Sequence, residues 1–247
     1  MFLITWNPNN YEFDWAVVAE YRGWLVAGIG LSLQIAATAM AVAMILGLGV
    51  AMMRMSPIWP VRTVASVYVA VLRAIPLLPF ILWAYYGVTL VTGLDIDAFG
   101  AGVTCLALQY GAWLAEIYRA GLQAIDKGQR EAALSTGMSR SGAFAKVVWP
   151  QAWRIIIPPM ANNFVGIIKD SSLVGVIGLD ELMRQSQIAV SLTFRPFEMY
   201  TAALVIYVVL SLAISRVASY LEQRAARSTR VIVSRVPWGV RIFKQAA

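Results

Sequence analysis

The sequence predicts an all-α membrane protein with five transmembrane helices, and three observations support this fold class. Of the 247 residues, 60% are hydrophobic and only 13% are charged, whereas a soluble domain needs a more highly charged surface. Apolar segments long enough to cross a bilayer, which takes about 20 residues, recur along the chain. The basic residues cluster between these segments, as Lys and Arg do in the cytoplasmic loops of membrane proteins.

The first predicted span covers about 24–53 and the second about 64–91. The first is rich in Gly, Ala and Leu, whereas the second is interrupted by Arg73, Pro76 and Pro79. Two interpretations of these prolines remain open. They either free backbone carbonyls toward a cavity or only bend the helix for packing.

The third predicted span covers about 99–117, the fourth about 155–179 and the fifth about 199–220. The fourth is unusual because it carries prolines, amides and charges that a purely structural span would avoid. These residues are Pro158, Pro159, Asn162, Asn163, Lys169 and Asp170.

The distribution of basic residues predicts an external amino terminus and a cytoplasmic carboxyl terminus. The segments assigned to the cytoplasm contain Arg54, Arg62, Arg119, Lys127, Arg130, Arg140, Lys146 and Arg154, with Arg224, Arg227, Arg230, Arg235, Arg241 and Lys244 in the tail. The opposite side has only Arg22, Arg184 and Arg195. We therefore expect residues 1–22 to be an external segment. Because this segment carries Glu12, Asp14 and Glu20 and lacks a basic n-region followed by a small-residue cleavage site, we expect no cleavable signal peptide. Residues 23–222 would form the transmembrane domain, and residues 223–247 a basic cytoplasmic tail attracted to anionic lipid.

The composition argues against several other functions. The chain has no histidine, which removes the commonest general base and metal ligand, so we expect neither catalysis nor a metal site. It has no GxxxxGK[ST] sequence with which to bind nucleotide phosphates. The net charge of +7 does not indicate nucleic acid binding, because the basic residues form no stripe interleaved with aromatics.

The longest predicted cytoplasmic loop, residues 120–153, has the pattern of two short helices around a glycine. Residues 129–135 and 139–148 have helical patterns, and Gly137 between them permits a tight bend. Pro150 is expected to end the second helix before the next span. Such a helix pair is either a docking element for a soluble partner or an amphipathic linker that lies on lipid.

The residues of this loop resemble a known signature. Glu131-Ala132-Ala133 is followed after three residues by Gly137, and after nine more by Val147-Val148-Trp149-Pro150. This spacing is similar to that of the EAA motif in permeases of binding-protein-dependent ABC importers. Val147 and Trp149 stand where Ile and Leu are usual in that family.

The resemblance covers about 28–220, and the segments 73–87 and 162–179 resemble the polar-amino-acid branch of the family. It implies a type I ABC importer permease fold and a multi-pass location in the inner membrane. It also implies that the loop at residues 120–153 forms a coupling helix that sits in a groove of an ATPase subunit. The residues that inherit this coupling role by position are Glu131, Ala132, Ala133, Gly137 and Pro150.

The same resemblance implies the other components. They are an ATP-binding cassette subunit that binds ATP and Mg, a second permease that is identical or paralogous, an external solute-binding protein and a polar amino acid substrate. This chain would itself be no enzyme and would hold no cofactor. The alternatives are a secondary transporter or channel that needs no ATPase, which leaves the EAA-type loop unexplained, and an intramembrane enzyme, for which a base is lacking.

Lys169 and Asp170 are the predicted substrate-binding charges, together with Asn163. An unpaired charge in the middle of a span costs at least about 2.5–3.5 kcal/mol, so such residues are functional by default. Asn163 lies two turns before Asp170 and therefore on the same helix face. A zwitterionic amino acid offers groups to both charges. In some members of the family that this chain resembles, those that bind cationic amino acids, the matching position looks acidic, so the resemblance makes a cationic substrate less expected for the neutral Asn163. The alternative is that Lys169 and Asp170 are buried structural ions.

Overall fold

The computed structural model describes residues 11–233, with side chains as far as residue 220 apart from that of residue 218. Within these residues every regular element is a helix. The α-helices are α1 (Ala16–Glu20), α2 (Arg22–Arg54), α3 (Trp59–Ala74), α4 (Leu77–Leu82), α5 (Thr89–Thr92), α6 (Ala98–Gln123), α7 (Lys127–Ser135), α8 (Arg140–Ala143), α9 (Trp149–Asp170), α10 (Leu182–Thr193) and α11 (Pro196–Val233). Two π-helices, Trp83–Val88 and Phe144–Val148, and a 3-10 helix, Ser171–Ile177, connect some of them.

Three of the predicted spans are single helices. α2, α6 and the Pro196–Val217 part of α11 are long and apolar enough to cross a membrane, and they correspond to the first, third and fifth predicted spans. α2 approaches α6 closely at Gly47. A Cβ atom there would lie 2.8 Å from the Cβ of Leu114 and 2.9 Å from the carbonyl oxygen of Gly111, so this contact requires a glycine.

The second predicted span is broken after α3. The axis of α3 and that of the following segment, Leu77–Thr92, meet at 107°. A residue that precedes proline is disfavoured in the α-helical region, and Ile75, which precedes Pro76, has ψ 128°. The predicted effect of the prolines is confirmed in a stronger form than a bend, because the helix stops and restarts.

The fourth predicted span, 155–179, is not one continuous helix, and the prediction is wrong in this respect. α9 ends at Asp170 and is followed by the 3-10 helix, which ends at Ile177, and the next residue, Gly178, has φ +89°. At the transition the Ser171 hydroxyl donates to the carbonyl of Ile168 at 2.8 Å. Such side-chain bonds compete with the α-helical hydrogen bonds, and sequence periodicity does not reveal them.

The Glu181 carboxylate holds three helices together. It is fully buried and accepts from the backbone N–H groups of Met183 at 2.9 Å and Arg184 at 2.7 Å, which makes Glu181 the N-cap of α10. Tyr207 of α11 donates to it at 2.8 Å and Ser32 of α2 at 3.4 Å. Because a buried carboxylate is costly unless it accepts hydrogen bonds, this arrangement fixes α10 between α2 and α11.

The amino-terminal segment is anchored to the beginning of α11. The Tyr11 hydroxyl donates to the buried Glu198 carboxylate, which also accepts from the backbone N–H of Asp14 at 2.9 Å. Phe13 and Trp15 make edge-on contacts with the ring of Phe197. The chain therefore starts α2 from a position held against α11.

The predicted boundary between the membrane domain and the basic tail, at residue 223, falls within α11. This helix continues to Val233. Residues 1–10 and 234–247 belong to the predicted external segment and tail, and they lie outside the described residues.

Candidate substrate cavity and coupling segment

A polar cavity of about 500 Å³ opens between α3, α6 and α9. α3 contributes one lining residue from its last turn, and α6 and α9 contribute the others. The lining residues are Arg73, Gln109, Tyr110, Trp113, Asn162, Asn163, Gly166 and Asp170. One cation, one anion and several amides therefore surround a single space among largely apolar helices.

Asp170 is the negative group of this cavity. It is the last residue of α9, and its carboxylate accepts a hydrogen bond from the Tyr110 hydroxyl at 2.7 Å. Gly166, one turn earlier, makes this approach possible, because a Cβ atom there would lie 2.7 Å from the Tyr110 hydroxyl oxygen. The carboxylate has more acceptor positions than this one bond uses, so it can bind a further donor.

Arg73 is the positive group. Its guanidinium lies 4.1 Å from the centre of the Trp113 ring, a distance at which a cation is attracted to an aromatic face. Its Nη1 is 3.7 Å from Glu116 Oε1, but Glu116 is shared with Arg54 and with Arg119, which donates to it at 2.8 and 3.0 Å. Three arginines thus share one carboxylate, and Arg73 has the longest contact of the three.

Gln109 closes the break in the second span. In an unbroken helix the carbonyls of Leu72 and Ile75 would accept from residues 76 and 79, but both of those are prolines without an N–H. The Gln109 amide nitrogen donates to Leu72 at 3.3 Å and to Ile75 at 2.6 Å. The freed carbonyls therefore accept hydrogen bonds from α6. The amide nitrogen of Gln109 is used in these two bonds, although the residue lines the cavity.

The structure brings two of the three predicted substrate residues together. Asn163 and Asp170 both line the cavity, whereas the side chain of Lys169 is exposed and is not among the lining groups. Asn163 donates through its amide nitrogen to the carbonyl of Pro159 at 2.9 Å, which leaves its amide oxygen directed elsewhere. Whether these residues bind substrate stays a prediction.

Sequence analysis missed several lining residues. A single polar or aromatic side chain in a span has no periodic signal, and Gln109 lies far along the chain from the two prolines whose carbonyl partners it replaces. The residues not predicted are Gln109, Tyr110 and Trp113. Asn162 was noted only as an unusual amide of the fourth span, and Arg73 only for its place before the prolines.

The first half of the loop is a helix closed at both ends by its own chain. The Asp126 carboxylate caps α7 by accepting from the backbone N–H of Gly128 at 2.7 Å. At the other end the N–H of Gly137 bonds the Leu134 carbonyl at 3.0 Å, and that of Met138 bonds Ala133 at 3.3 Å. This pair of bonds is a Schellman motif, which places Gly137 in the left-handed region, and its φ is indeed +85°.

The second half of the loop runs without interruption into α9, so the expectation that Pro150 ends it is wrong. α8, the π-helix and α9 are contiguous, and Pro150 lies in the first turn of α9. The π-helix adds one residue to the turn just before the proline. This wider turn accommodates the proline ring, which would otherwise clash with the preceding turn, and compensates for the N–H that proline lacks. The Gln151 side chain also donates to the carbonyl of Val147 at 2.9 Å.

Four of the five predicted coupling residues are exposed. Glu131, Ala132, Gly137 and Pro150 lie on the surface, and Ala133 is buried against the rest of the chain. The surface of α7 that carries Glu131 and Ala132 is therefore free to contact a partner. The coupling role itself stays a prediction.

Comparison with known proteins decides the family. The sequence profile described as "Binding-protein-dependent transport system inner membrane component" matches residues 23–227. The chain belongs to this family. Its location in the inner membrane, expected from the EAA resemblance, follows from that membership.

Members of this family with curated names share about a third of their residues with this chain. The "Probable glutamine ABC transporter permease protein GlnM" of Bacillus subtilis is 37% identical over 190 residues, which cover 77% of this chain and 88% of that protein. The "Arginine transport system permease protein ArtQ" of the same organism is 32% identical, over 86% of this chain and 97% of that protein. The resemblance drawn from the sequence is confirmed.

A solved structure confirms the fold class at the level of the family. A crystal structure of an amino acid ABC transporter with histidines contains a chain 40% identical to this one. It covers 87% of this chain and all of the other, with a TM-score of 0.81. This chain therefore has the all-α, type I permease fold of that transporter.

Proposed function

We propose that this chain is the membrane-spanning permease subunit of an ABC importer for polar amino acids, with ATP hydrolysed on a separate subunit. The observation that carries the proposal is the cavity, where Arg73 and Asp170 offer opposite charges inside a chain of an importer family. Charged groups among membrane helices are expensive and mark substrate pathways. The relatives named for glutamine and arginine favour amino acids as the cargo.

The two charges of the cavity suit a zwitterion. The guanidinium of Arg73 presents several donors to a carboxylate, and the Asp170 carboxylate has acceptor positions left for an ammonium group. Asn162 and Asn163 add amides for a polar side chain. An amino acid that reaches this space can therefore pair with both Arg73 and Asp170, the two charges of the cavity lining.

The coupling loop, residues 120–153, is proposed to transmit the conformational change of the ATPase subunit to the membrane helices. α7 is rigid because both of its ends are closed by hydrogen bonds, and α8 continues into α9, the helix that carries Asn163 and Asp170. A partner that pulls on α7 would therefore move the cavity wall as a lever. ATP and Mg would be bound by that partner, and no cofactor by this chain.

Five crossings, with the amino terminus outside, are also proposed. Three helices, or four if the broken second span counts as one, meet the requirements for a span, and the fifth crossing would combine α9, the 3-10 helix and α10. Ser32 and Tyr207 lie about 15–17 Å along α2 and α11, which would be near the middle of a bilayer if both helices begin at its outer surface. Glu181 bonds both of them, which supports a break between α9 and α10 at that depth, after which α10 would complete the crossing.

The assembly is proposed to contain two permeases, identical or paralogous, with two ATPase subunits and an external solute-binding protein. A single chain with five membrane helices is too small to enclose a gated substrate pathway by itself. The basic segments, which face the ATPase side in this orientation, also contact anionic lipid.

Transport by the reconstituted complex tests the proposal. The permease, its partner permease, the ATPase and the binding protein would be placed in proteoliposomes, and uptake of labelled amino acids would be measured with and without ATP. Asp170→Asn keeps the size of the side chain and removes its charge, so we expect substrate-stimulated ATPase activity to fall at least about tenfold. Lys169→Gln, one position before Asp170, is the matched control, because it removes a charge that does not line the cavity.

Two results would overturn the proposal. Uptake that an ion gradient drives without ATP or the ATPase subunit would assign the chain to secondary transport. Unchanged amino acid dependence in Asp170→Asn would remove the cavity from the substrate route. An effect of Lys169→Gln equal to that of Asp170→Asn would place both charges on the substrate path.

A further inference from the structure

A second cavity lies where two spans end. It has a volume of about 370 Å³, and its lining includes Met55, which follows the last residue of α2, Leu122 in the last turn of α6 and Ile125 just after that helix. α7 and α8 provide the opposite wall. In the orientation proposed above this is the cytoplasmic end of both spans, so the cavity lies at the boundary between lipid and water.

The lining of this cavity has a basic part, called here the rim, and an apolar part, called here the floor. Lys127 and Arg130 project from the same side of α7 because they are three residues apart, and Arg140 comes from the first residue of α8. Within the described part of the chain none of these three side chains makes an ion pair or a hydrogen bond. The floor is formed by Met55, Leu122, Phe144 and Val148.

The acidic groups nearby do not neutralise the rim. Asp126 lines the cavity, but its carboxylate caps α7 through the N–H of Gly128 at 2.7 Å. Glu131 lies one turn after Lys127, and their side chains form no ion pair in the described structure. The Arg54 and Glu116 side chains pair with each other near the end of α2. Three cations therefore face one carboxylate that is already bonded.

We propose that this cavity binds the phosphate headgroup of an anionic phospholipid from the inner leaflet. The three cations attract the single negative charge of the phosphodiester and offer it several hydrogen-bond donors, and Met55, Leu122 and Phe144 provide apolar surface for the glycerol and the first carbons of the acyl chains. A water-soluble phosphate would use only the rim. The apolar floor at the level of the bilayer surface is what selects a lipid.

Binding of defined lipids by the intact transporter tests this site. The complex purified in detergent would be titrated with short-chain phosphatidylglycerol, short-chain phosphatidylcholine or glycerol phosphate, and the bound molecules counted by native mass spectrometry. The variant Arg130→Gln/Arg140→Gln removes two rim charges. Arg62→Gln/Lys146→Gln is the matched control, because it removes two exposed cations of the same predicted side that do not line the cavity.

We expect the wild-type complex and the Arg62/Lys146 control to retain phosphatidylglycerol in preference to phosphatidylcholine and glycerol phosphate. The rim variant should bind phosphatidylglycerol about tenfold or more weakly, since each basic side chain contributes about 1 kcal/mol to such binding. Equal weakening in both double variants would show charge attraction without a site. Binding of glycerol phosphate as tight as that of the lipid would exclude a role for the floor.

A third outcome separates the lipid from a protein partner. If Arg130→Gln/Arg140→Gln releases the ATPase subunit during purification in every lipid, the rim belongs to the contact with that subunit and the lipid proposal fails. The test does not depend on which solute is transported. Its failure would therefore leave the amino acid cavity unaffected.

Discussion

Gln109 provides the sharpest test of how the second span tolerates its two prolines. The substitution Gln109→Leu keeps the size of the side chain and removes the donor that serves two carbonyls, those of Leu72 at 3.3 Å and Ile75 at 2.6 Å. Gln109 is only 8% exposed, so water has little access to replace it. Both acceptors would lose this donor.

The expected cost follows from these two bonds. Hydrogen bonds between membrane helices are worth about 0.6 kcal/mol on average and about 1.7 at most, and a buried polar group left without a partner costs about 1–3 kcal/mol. Loss of both Gln109 bonds should therefore destabilise the protein by about 1–3 kcal/mol. The break would then be free to shift, and we expect Arg73 to lose its fixed position over Trp113.

Thermal unfolding of the purified complex in detergent would measure this effect against Gln34→Leu. Gln34 is exposed on α2, and its side chain makes no hydrogen bond in the described structure, so the same chemical change removes no bond there. We expect a lower midpoint for Gln109→Leu and little change for Gln34→Leu. Equal midpoints would show that the carbonyls of the break find other partners, and the closing role of Gln109 would be refuted.

Three further predictions concern packing and helix ends. Gly28→Ala should destabilise by about 1–3 kcal/mol, because its Cβ would lie 2.7 Å from the α10 backbone. Gly30→Ala meets nothing within 4 Å and should stabilise by up to about 1 kcal/mol, so midpoint shifts of the same sign would contradict the packing. Gly137→Val should lose ATPase coupling while Gly137→Asn keeps most of it, because φ at this position is +85° and valine tolerates the left-handed region poorly. The measurement is the ratio of uptake to ATP hydrolysis, and equal ratios in the two variants would count against a role of the Schellman motif in coupling. Glu181→Ala should cost about 3 kcal/mol or more and Tyr207→Phe about 1 kcal/mol, measured by thermal unfolding, and a larger effect of Tyr207→Phe would place the key contact elsewhere.

Sequence was sufficient where one local signal dominates. The predicted spans at 24–53 and 99–117 correspond to α2 and α6, because uninterrupted apolar stretches fix a helix in a bilayer without reference to any neighbour. The helix pair around Gly137 was likewise predictable, since a glycine between two helical patterns indicates a left-handed C-cap. These features depend on residues close to one another in the chain.

Sequence was insufficient where distant segments exchange hydrogen bonds. The contact of Tyr110 with Asp170 joins residues that are far apart in the chain, and neither residue alone indicates the other. The end of α9 depends on serine hydroxyls whose choice between helical and side-chain bonds is decided by packing. The continuity through Pro150 depends on a π turn, which leaves no periodic mark.

The two breaks also explain why the charges of the cavity are not equivalent. Arg73 lies in the last turn of α3, where the negative end of a helix stabilises a cation, whereas Asp170 lies at the end of α9, where the same dipole opposes an anion. Arg73 is further shared between Trp113 and Glu116, but Asp170 has the Tyr110 hydroxyl as its hydrogen-bond donor. A bound ammonium group would therefore relieve more unfavourable energy at Asp170 than a bound carboxylate would at Arg73. Loss of the amino group from a substrate should accordingly weaken its binding to the cavity more than loss of the carboxylate.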